Sequence, residues 1–396
     1  MSESIPLLLS QEQLRARECA KWTVYPGDVI PAWIADMDFA LAPPVREALA
    51  QRLAAQDLGY PKMYQRAALP EAFAARMAAL YGWTIAPSQV EFFSDVVQTI
   101  HFCLLSLLEP GEGVLIQTPI YPPFLQSVVE TGRRQVLCPL QPRPEGYGID
   151  FNALEAACDA GTRMLLLCHP HNPTGRAFTR EELEGLAALV RRHNLIVVSD
   201  EIHADLMLDA RPHLPFAMLG EDIAARTITL TSPSKAFNIA GLCLAVAVFG
   251  SPALRQRFGR LPDHLRGGRS AFGMAATAAA WQAGDPWLDA VLAQLRANRA
   301  TVAEFVATRW PLVRHTPPEA TYLAWLDCRA LALGEEPWRF FLREARVALS
   351  EGPNFGAEGE GFVRLNFATS PAILQEILER MDRALITAGK STPAAR

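Results

Sequence analysis

The sequence predicts an α/β protein: a mainly parallel sheet covered by helices, joined to a smaller α+β unit. Three observations predict it. Short apolar runs recur through the middle third, at Gly113–Gln117, Met164–Cys168, Leu195–Ser199 and Thr227–Leu230. Amphipathic helical patterns separate them. The last third changes character, with one long helical pattern followed by short strands. Buried strands alternating with helices mark a parallel sheet with both faces covered.

Each run stops at a turn: Thr118-Pro119, the proline-rich loop from His169, Asp200, and Thr231-Ser232-Pro233. The clearest helix is Arg180–His193, where Leu183, Leu186, Leu189 and Val190 share a face and Glu181, Glu182 and Arg191 face away. Thr179 and Glu182 form a capping box at its start. Trp287–Trp310 is a long helical pattern, broken by Pro311–Pro318. Strands follow at Tyr322–Asp327, Ala348–Ser350 and Phe362–Phe367, then a helix over Pro371–Ala388. In the last strand Phe362, Arg364 and Asn366 share one face, and Val363, Leu365 and Phe367 share the other. The organisation expected is a segment 1–48 packing with the small domain, a large domain 49–284 and a small domain 285–396.

Composition narrows function. The 396 residues are half hydrophobic and one-fifth charged, which excludes disorder, and 37 basic against 42 acidic residues leave a net charge of −5. With no run of Lys and Arg to attract a phosphate backbone, nucleic acid is not expected as a partner. The apolar stretch Ile5–Leu9 is too short for a signal-peptide core and lacks a basic lead-in. The longest apolar run, Leu242–Phe249, falls far below the roughly 20 residues of a membrane helix, so no membrane partner is expected. Seven cysteines stand singly, with no C-x-x-C, which argues for reduced thiols and the cytoplasm.

The chemistry gathers at strand ends, where open parallel sheets bind ligands. Ser232-Pro233-Ser234-Lys235 offers a primary amine that desolvation can make nucleophilic, beside two hydroxyls suited to a phosphate. Asp200 offers a carboxylate that can hold a proton on a ring nitrogen. Asn172-Pro173-Thr174-Gly175 offers an amide. Taken singly, these admit plainer readings as a solvated surface lysine, a helix cap and an ordinary turn. Their spacing joins them: Asn172, Asp200 and Lys235 lie 28 and 35 residues apart, about one strand–helix unit each.

In that order and spacing the chain resembles the fold type I pyridoxal 5′-phosphate (PLP) enzymes of the class I/II aminotransferase family. Within them it is most similar to the branch of cystathionine β-lyases and C–S lyases that includes the maltose-regulon modulator. The resemblance rests on PAWIADMDFALAPPV (31–45), LGYP (58–61), TPIYPPF (118–124), HPHNPTGRAFTREEL (169–183), VVSDEIHADL (197–206), SPSKAFNIAGL (232–242) and FVRLNFA (362–368). ADMDF and SDEIH belong to the branch, whereas NPTG and the SxSK pattern mark the wider class. The implied fold is a seven-stranded, mainly parallel sheet sandwiched by helices in the large domain, plus the small α+β domain.

Carried over by position, Lys235 resembles the Schiff-base lysine, Asp200 the partner of the pyridine nitrogen, and Asn172 the donor to its phenolic oxygen. Tyr121 resembles the aromatic stacked on the ring; Ser232 and Ser234 serve the phosphate. Val96 and Val97 match the turn whose backbone amides hold phosphate, ahead of a helix expected at His101–Leu108. Tyr60 resembles a tyrosine that reaches the phosphate in a neighbouring subunit, which implies a homodimer with sites at the subunit interface. Arg364 resembles the clamp for the substrate carboxylate, with Trp33, Ile34 and Asp36 in the facing wall.

Two positions depart from the pattern. Asp95 stands where relatives carry Gly before the two valines, and His203 stands where many aminotransferases carry Tyr. His203 is expected toward the cofactor's phenolic oxygen or phosphate side. His169 and His171 lack a third ligand for a metal, so no metal is expected and both read as local polar contacts. The resemblance implies β-elimination of a thiol from a cystathionine- or cysteine-type amino acid, leaving pyruvate and ammonia. Transamination by the same residues is the alternative, and regulatory binding of a transcription factor a lesser one.

Overall fold

The computed structural model describes residues 8–59, 68–144 and 146–391. The large sheet consists of β1 (Val90–Phe93), β2 (Gly113–Thr118), β3 (Arg134–Pro139), β4 (Thr162–Cys168), β5 (Ile196–Asp200), β6 (Thr227–Thr231) and β7 (Ala245–Phe249). Their order is β1-β7-β6-β5-β4-β2-β3, and β7 alone runs against the direction of the other six. Period-two alternation sends Leu165, Leu167 and Val197 into the core on one face and Met164, Leu166 and Val198 into the core on the other. Both faces are therefore covered, which is why these strands read as unbroken apolar runs.

The helices that matter here are α1 (Ala68–Tyr81), α2 (Val96–Leu107), α3 (Pro122–Glu130), α4 (Arg180–Arg192), α5 (Asp285–Arg309) and α6 (Pro371–Thr387). The predicted capping box of α4 is present: Glu182 N–H donates to Thr179 Oγ1 at 3.2 Å, and Thr179 N–H donates to Glu182 Oε2 at 2.8 Å. Helix α2 starts five residues earlier than the expected His101, directly at Val96. The cause is Asp95, whose carboxylate accepts the Gln98 N–H at 2.7 Å and caps the helix.

The small antiparallel sheet has β8 (Arg314–His315), β9 (Leu323–Asp327), β10 (Ser350–Glu351) and β11 (Phe362–Asn366) in the order β8-β9-β11-β10. The single strand expected over Ala348–Ser350 is divided. Val347–Ala348 pairs with Ile30–Pro31 in parallel, while Ser350–Glu351 pairs with β11. The N-terminal segment supplies that extra partner and is held by Asn366, which donates to the Ile34 and Asp36 carbonyls, both at 2.7 Å. Lys21 and Asp38, both buried, pair at 2.9 Å beside the Trp22 indole, which donates to the same carboxylate at 2.7 Å. These bonds fix the course of residues 34–38 past the edge of the large sheet.

Candidate active site

Register levels the strand ends. Cys168 stands opposite Asp200, and Asp200 opposite Leu230, so the loops after β4, β5 and β6 leave the sheet side by side. They enclose a cavity of about 380 Å³ with the loop after β2, the start of α2, residues 34–36 and Arg364 of β11. Asp200, Lys235, Asn172, His203 and Tyr121 all line it. So do Ser232, Ser234, Val96, Val97, Asp36 and Arg364. Trp33 stands apart: its indole donates to the Lys21 carbonyl at 3.3 Å, and only its own carbonyl approaches the site, accepting from Arg364 at 3.1 Å. Tyr60 lies outside the described residues.

Lys235 is carried by the short turn Pro233–Ala236 behind Ser232, and its amine donates to the Ala35 carbonyl at 2.8 Å. Burial pushes its pKa down, against the opposing pull of Asp36 and Asp200. Asp200 is buried, and its carboxylate accepts the Ile202 N–H at 3.0 Å. Burial raises its pKa to about 7; the Ile202 N–H opposes that rise, Glu201 adds to it, and Lys235 opposes it. A carboxyl poised there exchanges a proton with a ring nitrogen readily.

The groups expected beside a phosphate differ in what they have free. Val96 and Val97 open α2, so their N–H groups have no intrahelical acceptor. Asp95 lines the cavity, but its carboxylate is engaged in the cap one turn further along. Ser232 is committed to the backbone: its hydroxyl donates to the Leu244 carbonyl at 2.6 Å and accepts the Ser234 N–H at 3.0 Å. Ser232 therefore shapes the lysine turn, and Ser234 keeps its hydroxyl for a ligand.

Arg364 is buried and has no ion-pair partner among the described residues. One terminal nitrogen donates to Asn172 Oδ1 at 2.9 Å, the other to Ser350 Oγ at 2.9 Å, and the guanidinium lies 4.8 Å from the Phe355 ring centroid. Burial pushes its pKa down to about 10, within the charged range at neutral pH. An uncompensated buried cation calls for an anion. His203 is also buried, without a partner on Nδ1 among the described residues; burial, Lys235 and Arg364 push its pKa down to about 3, so it is a neutral imidazole.

Sequence reasoning did not single out Ser350, Phe355 or Tyr322. The first two hold Arg364 across the fold, and Tyr322 donates its hydroxyl to the same Ala35 carbonyl that Lys235 uses, at 2.8 Å. Thr321 before it has φ 72, an outlier for a β-branched residue. No local pattern marks contacts made by tertiary packing alone. His169 and His171 are buried: His169 stacks on Phe178 at 5.7 Å, and His171 meets Thr174 Oγ1 at 2.9 Å.

Amine, carboxylate, unfilled helix N–H groups and a guanidinium without an ion-pair partner among the described residues line one cavity. The chain belongs to the aminotransferase class I and II family, whose model matches residues 34–381. It is 38% identical over 361 residues to cystathionine beta-lyase PatB of Bacillus subtilis, covering 90% of this chain and 93% of that one. The crystal structure of OvoB superposes with a TM-score of 0.91 at 37% identity, covering 97% of this chain and 99% of that one. The PLP-bound C–S lyase from Staphylococcus hominis superposes with a TM-score of 0.89 at 29% identity, covering 96% of this chain and 98% of that one.

Proposed function

We propose that the protein is a PLP-dependent carbon–sulfur β-lyase that converts cystathionine- or cysteine-type amino acids to a thiol, pyruvate and ammonia. The observation that carries this reading is the shared cavity itself. Lys235 and Asp200 face it from adjacent strand ends, and across it Arg364 presents a buried charge that meets no carboxylate among the described residues. Names among the relatives supply the lyase chemistry: cystathionine beta-lyase and C–S lyase.

The residues fit the cofactor. Val96 and Val97 N–H with Ser234 would hold its phosphate, where a helix N-terminus favours an anion. Asp200 would hold the proton on its ring nitrogen, Tyr121 would cover its face, and the Asn172 NH₂ would donate to its phenolic oxygen. His203, neutral, would present a hydrogen-bonding edge without adding charge. Lys235 would anchor the cofactor covalently. When bound, PLP supplies an electron sink for the pair left on Cα. With its amine freed by the incoming substrate amine, Lys235 would remove the Cα proton, Arg364 would hold the substrate carboxylate, and Asp36 would line the wall beside the leaving thiol. The C–S bond breaks with its electrons on sulfur, and water completes the release of pyruvate and ammonia.

We read the working unit as a cytoplasmic homodimer with sites at the subunit interface, to which Tyr60 contributes. Residues 1–48 would pack with the small domain (285–396) against the large domain (49–284). Among the described residues no helix is long and apolar enough to cross a membrane. The test is incubation with L-cystathionine and no keto acid. Pyruvate and free thiol in equal amounts support the lyase. Turnover that demands a keto acid and releases no thiol would replace it with transamination.

A further inference from the structure

Beside Asp200 lies a second buried carboxylate that the chemistry above does not use. Glu201 is 2% exposed. Its Oε1 accepts from the Ser199 hydroxyl at 2.8 Å and the Phe216 N–H at 3.0 Å, and its Oε2 meets Nε2 of buried His213 at 2.8 Å. Its backbone is fixed as firmly. The N–H donates to the Leu230 carbonyl at 2.7 Å, and the carbonyl accepts from the Thr231 hydroxyl at 3.3 Å. One residue is thus tied both to the strand that delivers Asp200 and to the strand that delivers Lys235. Burying a carboxylate is costly unless it is paired and hydrogen-bonded, and these three partners hold this one in a single place.

We propose that Glu201, held by His213, is a positioning residue that keeps Asp200 and the Lys235 turn in register and places a fixed negative field behind Asp200. This rests on the reading of Asp200 as the ring-nitrogen partner. The groups facing Asp200 are Cys168 at the end of β4, Tyr121 after β2, Lys235 after β6, and Glu201 itself. Glu201 faces His213 and Tyr81 of α1, and the His169 ring lies 4.7 Å from the His213 ring. A negative charge at Glu201 favours the proton at Asp200, and in the loaded enzyme it would favour the proton shared with the ring nitrogen.

The test uses the cofactor-loaded enzyme with Glu201→Gln, Glu201→Asp, Asp200→Asn and the double variant Glu201→Gln/Asp200→Asn. Glu201→Gln should lower kcat about tenfold with KM changed by less than about twofold. The pH at which the bound cofactor's absorbance changes should fall by about one unit. Glu201→Asp keeps the charge and should recover part of both. In the Asp200→Asn background Glu201→Gln should cost clearly less than in the wild type. An unchanged kcat and absorbance transition in Glu201→Gln, or an undiminished loss in the Asp200→Asn background, would overturn the proposal. If Glu201→Gln does not fold, Glu201→Asp decides, because a smaller shift at constant KM supports the role and no shift removes it. An Asp200→Asn enzyme with wild-type absorbance and turnover would instead overturn the reading of Asp200 beneath it.

Discussion

Arg364 donates to the side-chain oxygen of Asn172 at 2.9 Å, and this decides what Asn172 can offer a ligand. With its oxygen occupied, the amide presents its NH₂ to the cavity. A strand of the small sheet thereby sets the polarity of the turn after β4 in the large one. Ser350 completes the arrangement, donating to the Trp33 carbonyl at 2.5 Å while it accepts from Arg364.

Arg364→Lys should raise KM for an amino acid by at least tenfold. An ammonium cannot serve Asn172, Ser350, the Trp33 carbonyl and a substrate carboxylate together, and charged hydrogen bonds of this type are worth about 1.5–3 kcal/mol. Melting should also drop by a few degrees, because buried acceptors lose their donors. The decisive measurement compares an amino acid with its decarboxylated amine. The preference of the wild type for the acid should narrow in the variant; an unchanged ratio would place the carboxylate elsewhere.

Lys235→Ala should fold and melt at or above the wild-type temperature. Among the described residues the amine makes one hydrogen bond, to the Ala35 carbonyl, and burial works against its charge. The variant should bind PLP without the covalent link and therefore without the absorbance that link produces. Spectra before and after borohydride reduction check this, since a reduced, covalently labelled variant would assign the link to another amine.

Much of this was legible in the sequence. Strand ends are readable because each apolar run stops at a turn, and ligand groups follow within a few residues, as Asp200 follows Leu195–Ser199. The face assignment in Phe362–Phe367 also needs only a period of two. Val363, Leu365 and Phe367 enter the main core, while Arg364 lines the cavity. Contacts between distant elements were not legible. Ser350 meets Trp33 and Arg364 where Val347–Ala348 pairs with the N-terminal segment, and nothing near Ser350 announces that pairing. Sequence alone assigns both Ser232 and Ser234 to a phosphate. Only the position of the Leu244 carbonyl makes one a backbone anchor and leaves the other free.

Gly175→Ala should destabilise the protein by about 1–3 kcal/mol and lower turnover as well. Gly175 has φ +71, and a Cβ there would lie 2.2 Å from Pro318 Cβ and 2.9 Å from Pro318 Cα. The turn carrying Asn172 must therefore shift or the segment before β9 must give way. Chemical denaturation measures the first effect. A variant of wild-type stability would mean that the Pro318 segment moves freely.

Removing the charge of Asp200 should change how the cofactor-free protein responds to pH. Its folded pKa, about 7, exceeds the ordinary carboxylate value near 3.9, so between those limits the folded state binds more protons than the unfolded one. The stability it contributes is full below about pH 4 and is lost as pH rises through 7, amounting to about 4 kcal/mol. His203 acts in the opposite sense. Its folded pKa near 3 lies below the unfolded 6.5, so stability is lost as pH falls through that window. In the wild type the two slopes oppose each other between about pH 4 and 6.5. Asp200→Asn removes one of them, so the variant should match the wild type near pH 4 and exceed it increasingly toward pH 7.5. Urea unfolding of both proteins across that range tests the sign. A stability difference that stays constant with pH would show that Asp200 is not held protonated by its burial.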